Sequence, residues 1–149
     1  MGIEVAQSNH GIVISQIRYA LDLLEETGLL NSKSIETLMD PNVKLQHSQG
    51  EFLSDPEKYK RLVGKLNYLT VTHLDISFAI SVVSQFLNSP CVDHLNTVTC
   101  ILKYIKGSPR KGLLYGHNDH IRVVCYTDTD WAGSPSDRRS TSSMVIMTI

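Results

Sequence analysis

Ser54-Asp55-Pro56-Glu57-Lys58-Tyr59-Lys60-Arg61-Leu62-Val63-Gly64-Lys65-Leu66-Asn67-Tyr68-Leu69 carries the clearest helical signal in the chain. Ser54 and Glu57 have the spacing of a capping box, and Pro56 suits a first turn, where a missing N–H is harmless. Tyr59, Leu62, Val63, Leu66 and Leu69 recur at helical spacing, so one face is apolar and must be covered by other elements. Lys58, Arg61 and Lys65 fall at i, i+3 and i+7 away from that stripe. Such a basic face could track phosphates through a salt-sensitive, sequence-independent attraction; it equally suits a plain solvated surface.

Downstream, Thr72-His73-Leu74-Asp75 offers a cap for a third helix with Ile76, Ile80, Val83 and Leu87 on one face, stopped by Pro90. Leu95, Val98, Leu102 and Ile105 mark a fourth, ending at Gly107. Three successive helices with short links predict a small bundle. Lys103, Lys106, Arg110 and Lys111 gather at the end of the fourth, where cations complement the helix dipole. Upstream, residues 31–53 lack periodicity and carry Asp40-Pro41-Asn42 and Gln49-Gly50, which predicts a loop-rich linker. Met1 to Val5 and Gly11 to Ser15 read as a hairpin around Gln7 to Gly11. From Ser15, a cap, Ile17, Ala20, Leu21 and Leu24 form a helix that Gly28 stops.

Beyond residue 111 the period changes. Leu113 to Tyr115 and Ile121 to Thr127 read as strands around a polar turn, and Ser143 to Ile149 as another. The fold class is therefore α+β, divided into 1–30 (hairpin and helix), 31–53 (linker), 54–111 (helices) and 112–149 (a truncated β region). An apolar strand at the C-terminus would leave a sticky unpaired edge, so both ends are expected to be cut.

With 149 residues, 42% of them hydrophobic and 19% charged, the chain can form one domain or two small pieces. Fourteen Lys and Arg against 15 Asp and Glu give a net charge of -1, so any nucleic-acid or membrane attraction must be local. Cys91, Cys100 and Cys125 form no CxxC pair and are too few for a disulfide framework, which predicts buried thiols in a reducing compartment. No apolar run nears the roughly 20 residues of a membrane span and no signal peptide opens the chain, so a soluble intracellular protein without a membrane partner is expected. Nucleophile elbow, Walker loop, HExxH and dinucleotide fingerprint are all lacking, which argues against a self-sufficient enzyme.

Asp128 and Asp130, in Tyr126-Thr127-Asp128-Thr129-Asp130-Trp131, sit where an apolar strand ends. Two carboxylates there could ligate Mg²⁺, a hard cation that prefers oxygen, or simply form a solvated corner. Ser136-Asp137-Arg138-Arg139-Ser140-Thr141 suits phosphate contact or an internal Asp–Arg pair. His117 and His120 with Asp119 lack further ligands for zinc.

The ordered set Gly2-Ile3-Glu4-Val5, Ser15-Gln16, Tyr19-Ala20, Leu62 to Leu69, Asp75 to Ala79, Leu102-Lys103-Tyr104, Tyr126-Thr127-Asp128, Asp130 to Ser134 and Asp137 to Ser142 resembles the Ty1/copia-type retrotransposon Pol polyprotein over essentially the whole chain. The resemblance implies the end of a reverse transcriptase palm, then thumb and connection helices, then the first strands of an RNase H-like sheet. By it, Asp128 is an RNase H metal-binding carboxylate, with Asp130 beside it and Mg²⁺ as the family's cofactor. Lys58, Arg61, Lys65, Arg138 and Arg139 would face nucleic acid, an RNA·DNA hybrid or template–primer duplex. The polymerase's paired aspartates and the later RNase H carboxylates would belong to other polyprotein segments, so the chain alone is expected to be inactive. His73-Leu74 stands where the family usually has Arg-Pro, and Ser143-Met144 where it has Gly-Tyr. Two other outcomes follow from the same residues: activity when joined to flanking segments, or a domesticated protein-interaction module using the Ser143 to Ile149 edge.

Overall fold

A computed structural model describes residues 2–39, 45 and 50–116 in full, and 123–130 and 141–148 as backbone. The order is β1 (Glu4–Ser8), β2 (Gly11–Ser15), α1 (Ile17–Glu26), α2 (Pro56–Leu69), a 3₁₀ turn (Leu74–Ile76), α3 (Ser77–Ser84), α4 (Val92–Gly107), β3 (Gly112–Gly116), β4 (Val123–Asp130) and β5 (Thr141–Thr148). The fold is α+β. The chain divides into one compact unit of residues 1–6 and 13–113 and a second of residues 7–12 and 114–149.

The first unit is built on the α2 stripe. Tyr59, Leu62, Val63, Leu66 and Leu69 are buried with Ala20, Leu23 and Leu24 of α1, Ile76, Ala79, Ile80 and Val83 of the next corner, and Val98, Ile101, Leu102 and Ile105 of α4. The stretch between α1 and α2 also contributes, since Leu29, Leu38, Leu45 and Leu53 pack against this core. Tyr59 pins two helices: its hydroxyl donates to the Val83 carbonyl at 2.7 Å.

Helix starts depart from the sequence expectation by a residue or two, each for a local reason. α2 is capped by Asp55, whose carboxylate accepts the Lys58 N–H at 3.0 Å, and not by the Ser54 box. Proline disfavours helical backbone in the residue before it, so Asp55 is held in the non-helical geometry a cap requires. α1 starts after Gln16, not Ser15; Gln16 makes no side-chain cap bond, while Ser15 Oγ turns to Glu4 at 3.4 Å. The expected first strand is likewise later, at Glu4–Ser8.

The third helix opens as a 3₁₀ turn and ends at Ser84, before Leu87, because Gln85 and Phe86 bond back to Val82 and Val83 in i→i−3 fashion. α4 begins at Val92, with Cys91 as cap and the Cys91 N–H donating to His94 Nδ1 at 2.9 Å. It ends at Gly107 as read from the sequence.

The strands also pair differently. β3 does not turn back onto β4; it lies beside β2 in a sheet ordered β1-β2-β3. Gly112 permits that approach, since a Cβ there would meet the Ile14 carbonyl oxygen at 2.6 Å. β4 and β5 form a separate antiparallel pair, from Val123 opposite Thr148 to Asp130 opposite Thr141. Asp128, opposite Ser143, and Asp130, opposite Thr141, lie in the last three residues of β4, at the strand end expected from the sequence.

Candidate nucleic-acid interface

Of the α2 cations, Lys58, Lys60 and Arg61 are exposed and Lys65 is half-buried, and they are not equally available. Lys60 pairs with Glu57 at 2.7 Å within the helix. Arg61 and Lys65 converge on Glu26, the last residue of α1: Lys65 Nζ donates to Glu26 Oε2, and Arg61 Nε lies 3.8 Å from Oε1. The Lys65 hydrogen bond is the main reason the Glu26 carboxyl lies below its ordinary pKa, with the charges of Lys65 and Arg61 adding to it against some desolvation. Lys58 makes no ion pair among the described residues and is exposed. Of the predicted trio, the fold joins two through a carboxylate that sequence spacing did not reveal.

Beside this face lies a cleft of about 550 Å³ lined by Gly2, Glu4, Arg18, Tyr19, Asp22 and Tyr68. The Tyr19 and Tyr68 rings meet edge to face, 5.1 Å between centroids at 79°. Tyr19 is tied to α2 by its hydroxyl, which donates to the Lys65 carbonyl at 3.3 Å, and burial raises its pKa. Gly2 fits because a Cβ there would sit 2.8 Å from Tyr19. Three separated sequence motifs, around Gly2, Tyr19 and Leu62 to Tyr68, therefore build one wall.

A second convergence joins the 3₁₀ turn to α4. The Asp75 carboxylate accepts the Tyr104 hydroxyl at 2.7 Å and Lys111 Nζ at 2.5 Å, while Lys111 also stands 5.1 Å over the Tyr104 ring. Burial pushes the Asp75 carboxyl up, but the Lys111 and Tyr104 hydrogen bonds outweigh it and leave the group below its usual range. Lys111, read as a dipole-complementing cation, is instead a partner of Asp75, and Lys106 donates to the Ser32 carbonyl.

Buried polar residues form a third feature with no sequence signal beyond their positions. The Gln16 amide donates to the Tyr68 carbonyl at 3.3 Å, and its oxygen accepts the Thr72 hydroxyl at 2.8 Å. Thr72 Oγ1 lies 3.1 Å from His73 Nδ1. Thr72, expected as a cap, faces inward. Cys91 is buried and Cys100 half-buried, both as free thiols.

The side chains of Asp128, Asp130 and Cys125, and the whole of Arg138, Arg139, His117, Asp119 and His120, lie outside the described residues. Among the described residues, no three His, Cys, Asp or Glu are grouped so as to hold a metal ion, and no helix is long and apolar enough to cross a membrane.

No protein-family profile and no solved structure matches the chain. Curated proteins do. It is 38% identical to the retrovirus-related Pol polyprotein from transposon RE1 of Arabidopsis thaliana across 98% of the chain, and 32% identical to that from transposon TNT 1-94 of Nicotiana tabacum across 95%. An uncharacterized mitochondrial protein of Arabidopsis thaliana is 33% identical across 95% of the chain, which covers 59% of that protein. The chain spans only 10% and 11% of the two polyproteins. The shared stretch runs through the helical wall, the Asp75–Tyr104 junction and both β4 and β5, so that over nearly its whole length the chain is similar to one segment of the retrovirus-related Pol polyproteins of Ty1/copia-type transposons.

Proposed function

We propose that this chain corresponds to the polyprotein region where a reverse transcriptase thumb and connection lead into RNase H, and that alone it binds RNA·DNA duplex weakly without cleaving it. The observation that carries this reading is the cation row of α2, exposed at Lys58 and Arg61 and half-buried at Lys65, set on a helix whose Leu62 to Tyr68 motif resembles a polymerase thumb helix. Three cations supply only a weak, salt-sensitive grip on phosphate.

The β4 strand supports the second half of the reading. Asp128 and Asp130 are two residues apart on one strand, hence on one face by the two-residue period. RNase H chemistry uses two divalent ions, one stabilising the attacking water and one the leaving oxygen. Asp128 would be a ligand shared with such ions, Asp130 a weaker neighbour, and Arg138 and Arg139 phosphate contacts. Two carboxylates do not hold two Mg²⁺ ions, so turnover belongs to a longer assembly.

The test is a Mg²⁺- or Mn²⁺-dependent cleavage assay on an RNA·DNA hybrid with the 149-residue chain and Asp128→Ala. Both should match the protein-free blank. Turnover that disappears with Asp128→Ala would overturn the proposed inactivity. The size of the relatives favours a second reading, in which the segment contributes to activity when joined to its neighbours. Adding flanking polyprotein segments should then create Asp128-dependent cleavage.

A further inference from the structure

We infer that Glu26 is a built-in competitor of phosphate, setting how strongly the α2 face can hold nucleic acid. The inference rests on the proposed duplex-binding role of that face.

Two independent features point to it. First, the same carboxylate holds Lys65 by a hydrogen bond and Arg61 at 3.8 Å, so two of the three cations in the candidate row meet an internal anion. A phosphate oxygen presents the same acceptor chemistry and must displace Glu26 to use them fully. Second, Glu26 is the last residue of α1, the negative end of the helix dipole, where a carboxylate is disfavoured. No basic residue occupies that last turn; the compensating charges come from α2. Glu26 therefore does little for α1 by itself, and its placement makes sense through Lys65 and Arg61.

The pair is open to solvent, with Glu26 at 42% and Lys65 at 32% side-chain exposure, so a polyanion can reach it and exchange partners. Exposed ion pairs of this kind are weak and salt-screened, which fits a competitor that tunes affinity rather than abolishing it. Lys60, already held by Glu57, would respond separately, and Lys58 stays available throughout.

Fluorescence anisotropy with a labelled RNA·DNA hybrid, across a salt series, tests the inference on the full chain. Glu26→Gln should bind about two- to fivefold tighter at low salt, the range expected from releasing exposed pairs. Its log–log salt slope should steepen by roughly one to two, one for each additional phosphate contact. Lys65→Gln should weaken binding more in the Glu26→Gln background than in the wild type, because only there is the lysine free. Circular dichroism should show Glu26→Gln folded with unchanged helicity. Wild type and Glu26→Gln binding alike, with equal slopes, overturns the inference and leaves the duplex-binding reading standing. Binding by neither chain at any salt overturns both.

Discussion

At the residue scale, His73 shows how a hydrogen-bond chain fixes a protonation state. The Gln16 amide nitrogen donates to Tyr68, which leaves the Gln16 oxygen as acceptor for the Thr72 hydroxyl. Thr72 has spent its only proton, so His73 Nδ1 must carry the hydrogen of their 3.1 Å contact. The neutral ring then carries no proton on Nε2, a buried atom without a well-formed hydrogen bond; burial outweighs the Ser108 backbone, which favours a proton on the ring. Burial lowers the His73 pKa, against the opposite pull of the Ser108 backbone and Asp75; Lys111 reinforces the lowering. A histidine depressed in the fold takes up its proton more readily when unfolded. Its stabilising contribution is therefore present above the ordinary value of 6.5 and declines as pH falls below it, until the folded pKa is reached. Asp75 acts in a separate window, losing its contribution only below its ordinary 3.8. Urea midpoints measured from pH 7.5 down to pH 5 should fall for the wild type and fall less for His73→Leu. Equal slopes would mean that His73 is not the group responsible.

At the element scale, the Asp75–Tyr104–Lys111 junction ties the start of α3 to α4. Asp75→Asn should cost about 1 kcal/mol, the range for a partly exposed charge-assisted contact. In a double-mutant cycle with Tyr104→Phe, the coupling should be roughly 0.5 to 1.5 kcal/mol if the two side chains act as one unit. Additive losses in chemical denaturation would show that they do not. The same junction marks what sequence reading reaches. Asp75 and Tyr104 belong to recognisable motifs 29 residues apart, yet nothing in their spacing announces that they touch. The apolar stripe of α2 was legible because burial imposes a period, and every residue assigned to it is in the core. Helix ends were less so: a preproline residue outranked a capping box at Asp55, and a cysteine with a histidine, absent from ordinary cap preferences, starts α4. Glu26 was invisible as a site residue because a carboxylate meeting cations 35 and 39 residues later leaves no local trace. Likewise, strand propensity identified Leu113 to Tyr115 but could not name β2 as its neighbour.

At the scale of the whole molecule, the two units differ in what holds them. The first has one continuous apolar cluster fed by α1, α2, α3 and α4, so its helices should lose their amide protection together. Among the described residues β4 and β5 form a two-stranded sheet, and two strands without further partners are marginally stable at best in water. Hydrogen exchange followed by mass spectrometry should therefore find α2 and α4 slow and similar, and β4–β5 faster by orders of magnitude. Leu66→Ala, which empties a fully buried position at the centre of the cluster, should lower the common protection of α2 and α4 by about 2 to 5 kcal/mol. If α2 and α4 respond separately, the cluster is not one cooperative core. If β4–β5 is protected as strongly as α2, its stability does not depend on further polyprotein segments. The reading in which those segments complete a sheet around Asp128 then loses its physical motive. Protection that appears in β4–β5 only when flanking segments are attached would have the opposite meaning. The strand pair would then be the growing edge of a larger sheet, and Asp128 would reach a metal-binding geometry only within it.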